Sequence, residues 1–317
     1  MLTRRPEQAC AVPASRRANL NNLAAGTAQA CSGLHPSVPR IARSATIDLL
    51  LKQDLYSGCN LVSDELLNTL RQRTCIYASF DNSIDADVSR GEARPAVNLD
   101  VVKHDTQAGR FGGALVFNAR EHAWEENECC YAARNNFPYQ TSSFDGTISL
   151  WLCGDPDGDL SPQFPVDPFN VSRHAADASF YLDLTRPNDW RYGSPRKLRF
   201  GFYNDSPEQN MFVGGQLIVA GELGWNDGQW HHVVATWKNA NSGQADGSAA
   251  LYIDGRSRGT MAGYEHKLTW DIDEITIGLG QRYVGKIDEL LIADMALSAE
   301  QVGCLYELGQ AGKIGWQ

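Results

Sequence analysis

The chain has 317 residues, 43% of them apolar, with eight Trp and a formal net charge of −10. That is enough apolar material for one large all-β domain or two ordinary ones, and too much for a disordered chain. Residues 1–46 carry six Arg and one acid, a sum of +5, so the rest stands at −15; such an acidic body argues against nucleic acid and anionic membranes as partners.

Residues 1–45 are rich in Pro, Ser, Ala and Asn, without period, and are expected to form a disordered basic tail. Their Arg-rich, acid-poor composition is also that of an organelle transit peptide, whereas Arg and Asn interrupt any apolar core of a secretory signal. Residues 46–73 predict a short helical segment of two helices separated by Gly58, the second capped by Ser63 with Asp64 and Glu65 in its first turn. The segment is too small for a domain and is expected to pack on the main body or to act as a spacer. No run of eighteen apolar residues reads as a membrane span.

From Cys75 the apolar period becomes two. "CIYASF", "CCYAAR", "TISLWLC", "SFYLDL", "LRFGFYN", "WHHVVATW", "ALYID" and "VGKIDELLIA" read as strands, punctuated by Gly, Pro and Asp-Gly. Asp254-Gly255 between two alternating runs predicts a tight hairpin, because both residues tolerate the positive φ such a turn needs. The fold expected over 74–317 is all-β: an antiparallel β-sandwich of jelly-roll type, closed by a C-terminal helix. In that helix Ser298 and Gln301 form a capping box ahead of Val302, Leu305 and Leu308. In "WHHVVATW" both faces are largely apolar, so one face should meet the opposite sheet and the other should be covered by loops.

Eight Cys occur with no CxxC spacing, so structural zinc has no support; buried free thiols or a few disulfides remain open. His231 and His232 point to opposite faces of a strand and cannot share one metal. The nearest approach to paired carboxylates on a strand is Asp271 and Asp273 in "WDIDEIT", where Ile275 takes the third position. A glycan-cleaving dyad is therefore missing. The loop "RPNDWRYGSP" offers Trp190 and Tyr192 as rings for stacking on a sugar, with Asn188 and Asp189 to bond hydroxyls. The competing reading has Trp190 covering an edge of the core. Asn170-Val-Ser172 matches a glycosylation sequon.

Six segments in order, "YASFDNSIDADVSRG", "FGGALVF", "FDGTISLWL", "DGQWHHVVATW", "LYIDG" and "ITIGLGQRYVGKIDELLIADMALSAEQV", resemble laminin G-like domains of the concanavalin A-like lectin/glucanase superfamily over about residues 74–308. The resemblance implies a non-catalytic module that binds carbohydrate or protein, at the cell surface or outside the cell. The alternatives are a structural module within a larger assembly and a diverged glycan-active enzyme. The resemblance also implies calcium, held by Asp81 and Asp288 on neighbouring first and last strands. Asp155, Asp157 and Asp159 in "GDPDGDLSP" are a second candidate, spaced like the start of a calcium loop.

Overall fold

The computed structural model describes residues 64–119, 127–160, 164–172, 179–204 and 217–312. The tail over 1–45, the first short helix with Gly58, and the Ser63 cap lie outside them. The second helix, α1, spans 64–73.

The described chain is two antiparallel sheets packed face to face, as the alternating pattern requires. The larger sheet has nine strands. Its strands in chain order are β1 (Thr74–Ala78), β2 (Val88–Ser89), β4 (Lys103–Asp105), β5 (Ala114–Asn118), β7 (Phe144–Cys153), β12 (Trp230–Ala240), β13 (Gly247–Ile253), β14 (Arg256–Tyr264) and β16 (Val284–Ala293). They run β14-β13-β12-β7-β16-β1-β2, with β5 also on β16 and β4 on β5. The second sheet has seven strands: β3 (Ala96–Val97), β6 (Cys129–Ala132), β8 (Val166–Ser172), β9 (Phe180–Leu184), β10 (Leu198–Phe202), β11 (Leu217–Val219) and β15 (Thr276–Gln281). Their order is β11-β10-β9-β8-β15-β6-β3.

The expected hairpin is present. Ile253 pairs with Arg256 around Asp254 and Gly255, both at positive φ. The first and last strands are neighbours, with Tyr77 opposite Leu291 and Ala78 opposite Leu290.

Between the sheets lies one apolar core. Ile148, Leu150 and Leu152 of β7 and Val233, Ala235 and Trp237 of β12 meet Phe169, Phe180, Leu182 and Phe200 from the other sheet. Each of the Ile, Leu, Val and Phe side chains among them contributes about 1.5–3 kcal/mol on leaving water. β7 needs glycine at 146, because a methyl group there would lie 2.1 Å from the Trp237 ring.

The back of β12 is covered differently from the expectation of loops. Val234, Ala250 and Leu291 pack on Leu66 and Leu70 of α1 and on Val302, Leu305 and Leu308 of the terminal helix. Helices suit this face better, since an apolar stripe at helical spacing can bury a whole sheet surface. The terminal helix follows a short α2 (Pro156–Asp159) in chain order and is α3 (Ala299–Gln310). Its capping box is complete in both directions: Gln301 N–H donates to Ser298 Oγ (3.2 Å) and Ser298 N–H to Gln301 Oε1 (2.9 Å). Cys129 and Cys130 face opposite sides of β6, and Cys75, Cys129, Cys130, Cys153 and Cys304 are free thiols. Burial pushes the Cys75 thiol up to about 12.

Candidate functional site

The loop between β9 and β10 is built by its own polar side chains. Asn188 sits at φ 54° and receives the Ser194 hydroxyl on Oδ1 at 3.0 Å, while its N–H donates to Ser194 Oγ at 2.8 Å. Asp189 Oδ1 accepts Arg191 N–H at 2.9 Å, and its carbonyl accepts Gly193 N–H at 2.7 Å. Asn188 and Asp189 thus spend their acceptors on holding the loop, which leaves them less free for ligand hydroxyls than the sequence implied.

Trp190 is consequently pushed outward and is 73% exposed, so it does not cover the core. The Arg191 guanidinium lies over its ring at 4.4 Å. Tyr192 is half-buried, with Arg199 over its ring at 5.6 Å. Arg199 is in turn bound to the Asp183 carboxylate. One face of each ring is therefore engaged by a cation.

Sequence reasoning missed the residue that anchors this loop. Arg196 is buried and donates to the carbonyls of Thr185 (2.8 Å), Leu160 (3.3 Å) and Phe164 (3.4 Å), and its N–H donates to Asp157 Oδ1 at 2.9 Å. It ties Asp157, Leu160 and Phe164 to the Trp190 loop. Burial lowers its pKa, and Asp157 opposes that shift. Phe164, 48% exposed, has its carbonyl held by Arg196 and the Arg282 guanidinium over its ring at 4.8 Å. A buried Arg with three carbonyl partners holds both segments at one spacing, so the surface is set before any ligand arrives. Nothing in the local pattern "SPRKL" distinguishes such an Arg from a surface one.

The same contacts explain the acids of "GDPDGDLSP". Asp155 caps α2, accepting N–H groups of Asp157 (3.0 Å) and Gly158 (2.9 Å). Asp157 in turn accepts Arg196 N–H, so Asp155 and Asp157 both serve the turn.

Asp288 is buried at the other candidate ion site. Its Oδ2 accepts Arg110 N–H (2.7 Å) and Phe111 N–H (3.1 Å), and Oδ1 accepts Glu289 N–H (2.8 Å). Asp81 Oδ1 accepts Gly113 N–H at 3.1 Å. The two acids therefore both hold one loop, through Arg110, Phe111 and Gly113. A hard cation takes six to eight oxygens, and N–H groups already surround the Asp288 carboxylate. As they stand, both carboxylates are engaged by backbone N–H groups. Among the described residues no three His, Cys, Asp or Glu side chains gather as metal ligands. Burial raises Asp288 to about 8, against the pull of the N–H bonds.

Two other motifs resolve as structural. Asp271 caps a 3-10 turn, Ile272–Glu274, and Asp273 pairs with Arg134, so these acids do not share a strand face. Asn170 is 2% exposed and donates to Glu128 Oε1 at 3.2 Å, which closes the sequon in the folded chain. No described helix is long and apolar enough to cross a membrane.

A family model described as the concanavalin A-like lectin/glucanases superfamily matches residues 130–303. No curated protein matches the chain. Among solved structures, domain 4 of the extracellular arabinanase AbnA from Geobacillus stearothermophilus, in complex with arabinotriose, is 18% identical with a TM-score of 0.47 over 74% of this chain and 98% of that one. The binding domain of Paraclostridial Mosquitocidal Protein 1 is 16% identical with a TM-score of 0.51 over 75% of this chain. The ligand binding domain of botulinum neurotoxin serotype D, in complex with N-acetylneuraminic acid, is 14% identical with a TM-score of 0.52 over 76% of this chain. The chain spans about half the length of these two toxin domains, 52% of each. At such identities the likeness is one of fold.

Proposed function

Since the chain belongs to the concanavalin A-like lectin/glucanases superfamily, we propose that it is a non-catalytic module that binds carbohydrate through the Trp190 loop. One observation carries the reading: a Trp ring 73% exposed on a loop whose base is fixed by hydrogen bonds. An exposed indole on a floppy loop would lose much of its stacking energy to ordering. On a preset loop that cost is already met. The ring face away from Arg191 stacks on the C–H face of a sugar.

A binding role rather than catalysis is supported by the placement of Asp271 and Asp273 in a capped turn. Retaining and inverting glycosidases set two carboxyl groups across the scissile bond, and a 3-10 turn with Asp273 tied to Arg134 is not such a pair. The similar neurotoxin domain was solved with N-acetylneuraminic acid, which puts acidic sugars among the first ligands to test beside neutral ones. Binding of the full chain to a glycan array, with Trp190→Ala alongside, tests the proposal.

Calcium at Asp81 and Asp288 stands as a separate proposal from the resemblance. It requires the 109–113 loop to turn carbonyls where N–H groups now point. Melting with calcium and with chelator decides it.

A further inference from the structure

The opposite end of the sandwich carries an open groove that the Trp190 loop does not reach. Strand register fixes this placement. The Trp190 loop leaves from Leu184 and returns at Leu198, which pair with each other, and Leu184 pairs with Val166. At the far ends of the same strands, Phe202 pairs with Phe180, and Ser172 with Thr276. Thr276 pairs with Ala132, and Arg134 and Asn135 follow directly.

There a cleft of about 880 Å3 lies between the 134–145 segment, Asn239 and the ends of β1 and β16. A second cleft of about 810 Å3 adjoins it, reaching Asn241, Lys267 and Trp270. Tyr139 and Ser143 line both, so the two form one groove.

Three features of this groove point to a ligand. The first is a rigid aromatic bed. Phe137 stacks on Trp237 at 5.5 Å and meets Phe180 at 5.0 Å, while Tyr139 lies 5.5 Å from Trp270 as a half-buried pair at the junction.

The second is three asparagines in the left-handed region: Asn135 (φ 63°), Asn239 (φ 57°) and Asn241 (φ 63°). Glycine adopts that conformation without strain, and asparagine does so at a cost, which the amide must offset. Asn241 does so within the fold, donating to the Gln140 carbonyl and accepting Leu268 N–H, both at 2.9 Å. Asn135 is exposed and lines the larger cleft.

The third is charge. Asp294 holds Arg73 (2.7 Å) and Arg90 (2.8 Å), and Asp273 holds Arg134. In the larger cleft Arg73 and Arg90 thus share one carboxylate, and Arg134 has another.

We propose that this groove is a second binding site, for a neutral oligosaccharide chain. Amides and hydroxyls along the walls match a polyhydroxyl ligand, and the half-buried rings match the apolar faces of successive sugar units. An acidic chain would have to compete with Asp294 and Asp273 for these guanidinium groups. An extended peptide would need apolar side-chain pockets, whereas the exposed lining here is more polar than apolar. The site is independent of Trp190, because the two lie at opposite ends of the same strands.

The test uses the full chain in isothermal titration against cellohexaose, xylohexaose, mannohexaose, maltohexaose and arabinohexaose, with sialyllactose as the acidic probe. The variant is Asn135→Gly combined with Gln140→Ala. Glycine keeps the left-handed backbone, so folding is preserved, and an unchanged melting temperature confirms it. At least one hexasaccharide is expected to bind, with affinity at least about tenfold weaker in the double variant and unchanged in Trp190→Ala. No hexasaccharide bound at about 1 mM overturns the proposal, as does binding of sialyllactose alone. A hexasaccharide lost in Trp190→Ala but kept by the double variant also overturns it, while supporting the loop site. The reverse pattern supports the groove and removes the loop.

Discussion

Two buried imidazoles should each cost this protein stability as pH falls, and His266 allows that effect to be isolated. His266 is buried, stacked on Phe202 at 4.0 Å, and donates from Nε2 to the Tyr203 carbonyl at 2.9 Å. Burial lowers its pKa to about 3. His232, stacked on Trp151 and bonded to Ser149 Oγ at 2.8 Å, is lowered to about 4 for the same reason. A depressed pKa in the folded state contributes stability that is full above the unfolded value, near 6.5, and is lost as pH falls towards the folded one. At about pH 4.5 the loss is set almost wholly by the unfolded pKa, and is roughly 2.5 kcal/mol for each imidazole. Buried acids run the other way. Burial raises Asp288 to about 8 and Glu289 to about 9, so their stability is full at low pH and lost as pH rises through those values. The wild-type profile mixes both signs, and only a difference between proteins is diagnostic. His266→Phe keeps the stack but leaves the Tyr203 carbonyl unpaired, costing about 1–3 kcal/mol at pH 7. Urea unfolding of both proteins from pH 7 to about 4.5 should show this gap shrink by roughly 2.5 kcal/mol, closing or inverting. A gap that stays constant across the range refutes the burial argument for His266.

Further tests bear on packing, capping and calcium. Gly146→Ala must displace the Trp237 ring from 2.1 Å, and should cost about 1–3 kcal/mol in the same assay; a wild-type midpoint would show that the sheet yields there. Ser298→Ala removes half of the α3 capping box and should cost about 1 kcal/mol, whereas an unchanged melting curve would mean the helix start is satisfied by water. If calcium binds at Asp81 and Asp288, about a hundred times its dissociation constant adds roughly 2.7 kcal/mol. That rise should vanish in Asp288→Asn and survive Asp157→Asn. Chelation without effect leaves both acids as loop anchors.

Strands and turns were legible because they are local. Asp254-Gly255 between alternating runs has few other solutions, and Ser298 with Gln301 marks a helix start within four residues. Pairing of β1 with β16 came from the resemblance, since no pattern within either strand specifies a partner 200 residues away. The back of β12 shows the limit. Val234 read as covered, but only tertiary structure says that α1 and α3 do the covering. Trp190 was legible as a loop ring because its neighbours are Pro, Asn and Gly. Arg196 was not, because its partners Leu160, Phe164 and Thr185 come from other segments. The groove was illegible for the same reason. It joins residues from 73 to 294, and a left-handed φ at Asn135 leaves no mark in the sequence.

The central claim is that an exposed indole on a preset loop binds sugar. It is tested most directly by probing one array of neutral and acidic glycans with the full wild-type chain and with Trp190→Ala, both checked for equal melting temperatures. The account predicts at least one glycan retained by the wild type and a loss of about tenfold or more in apparent affinity in the variant, equivalent to about 1.4 kcal/mol of stacking. Retention of no glycan by the wild type, or equal retention by both proteins, would contradict it.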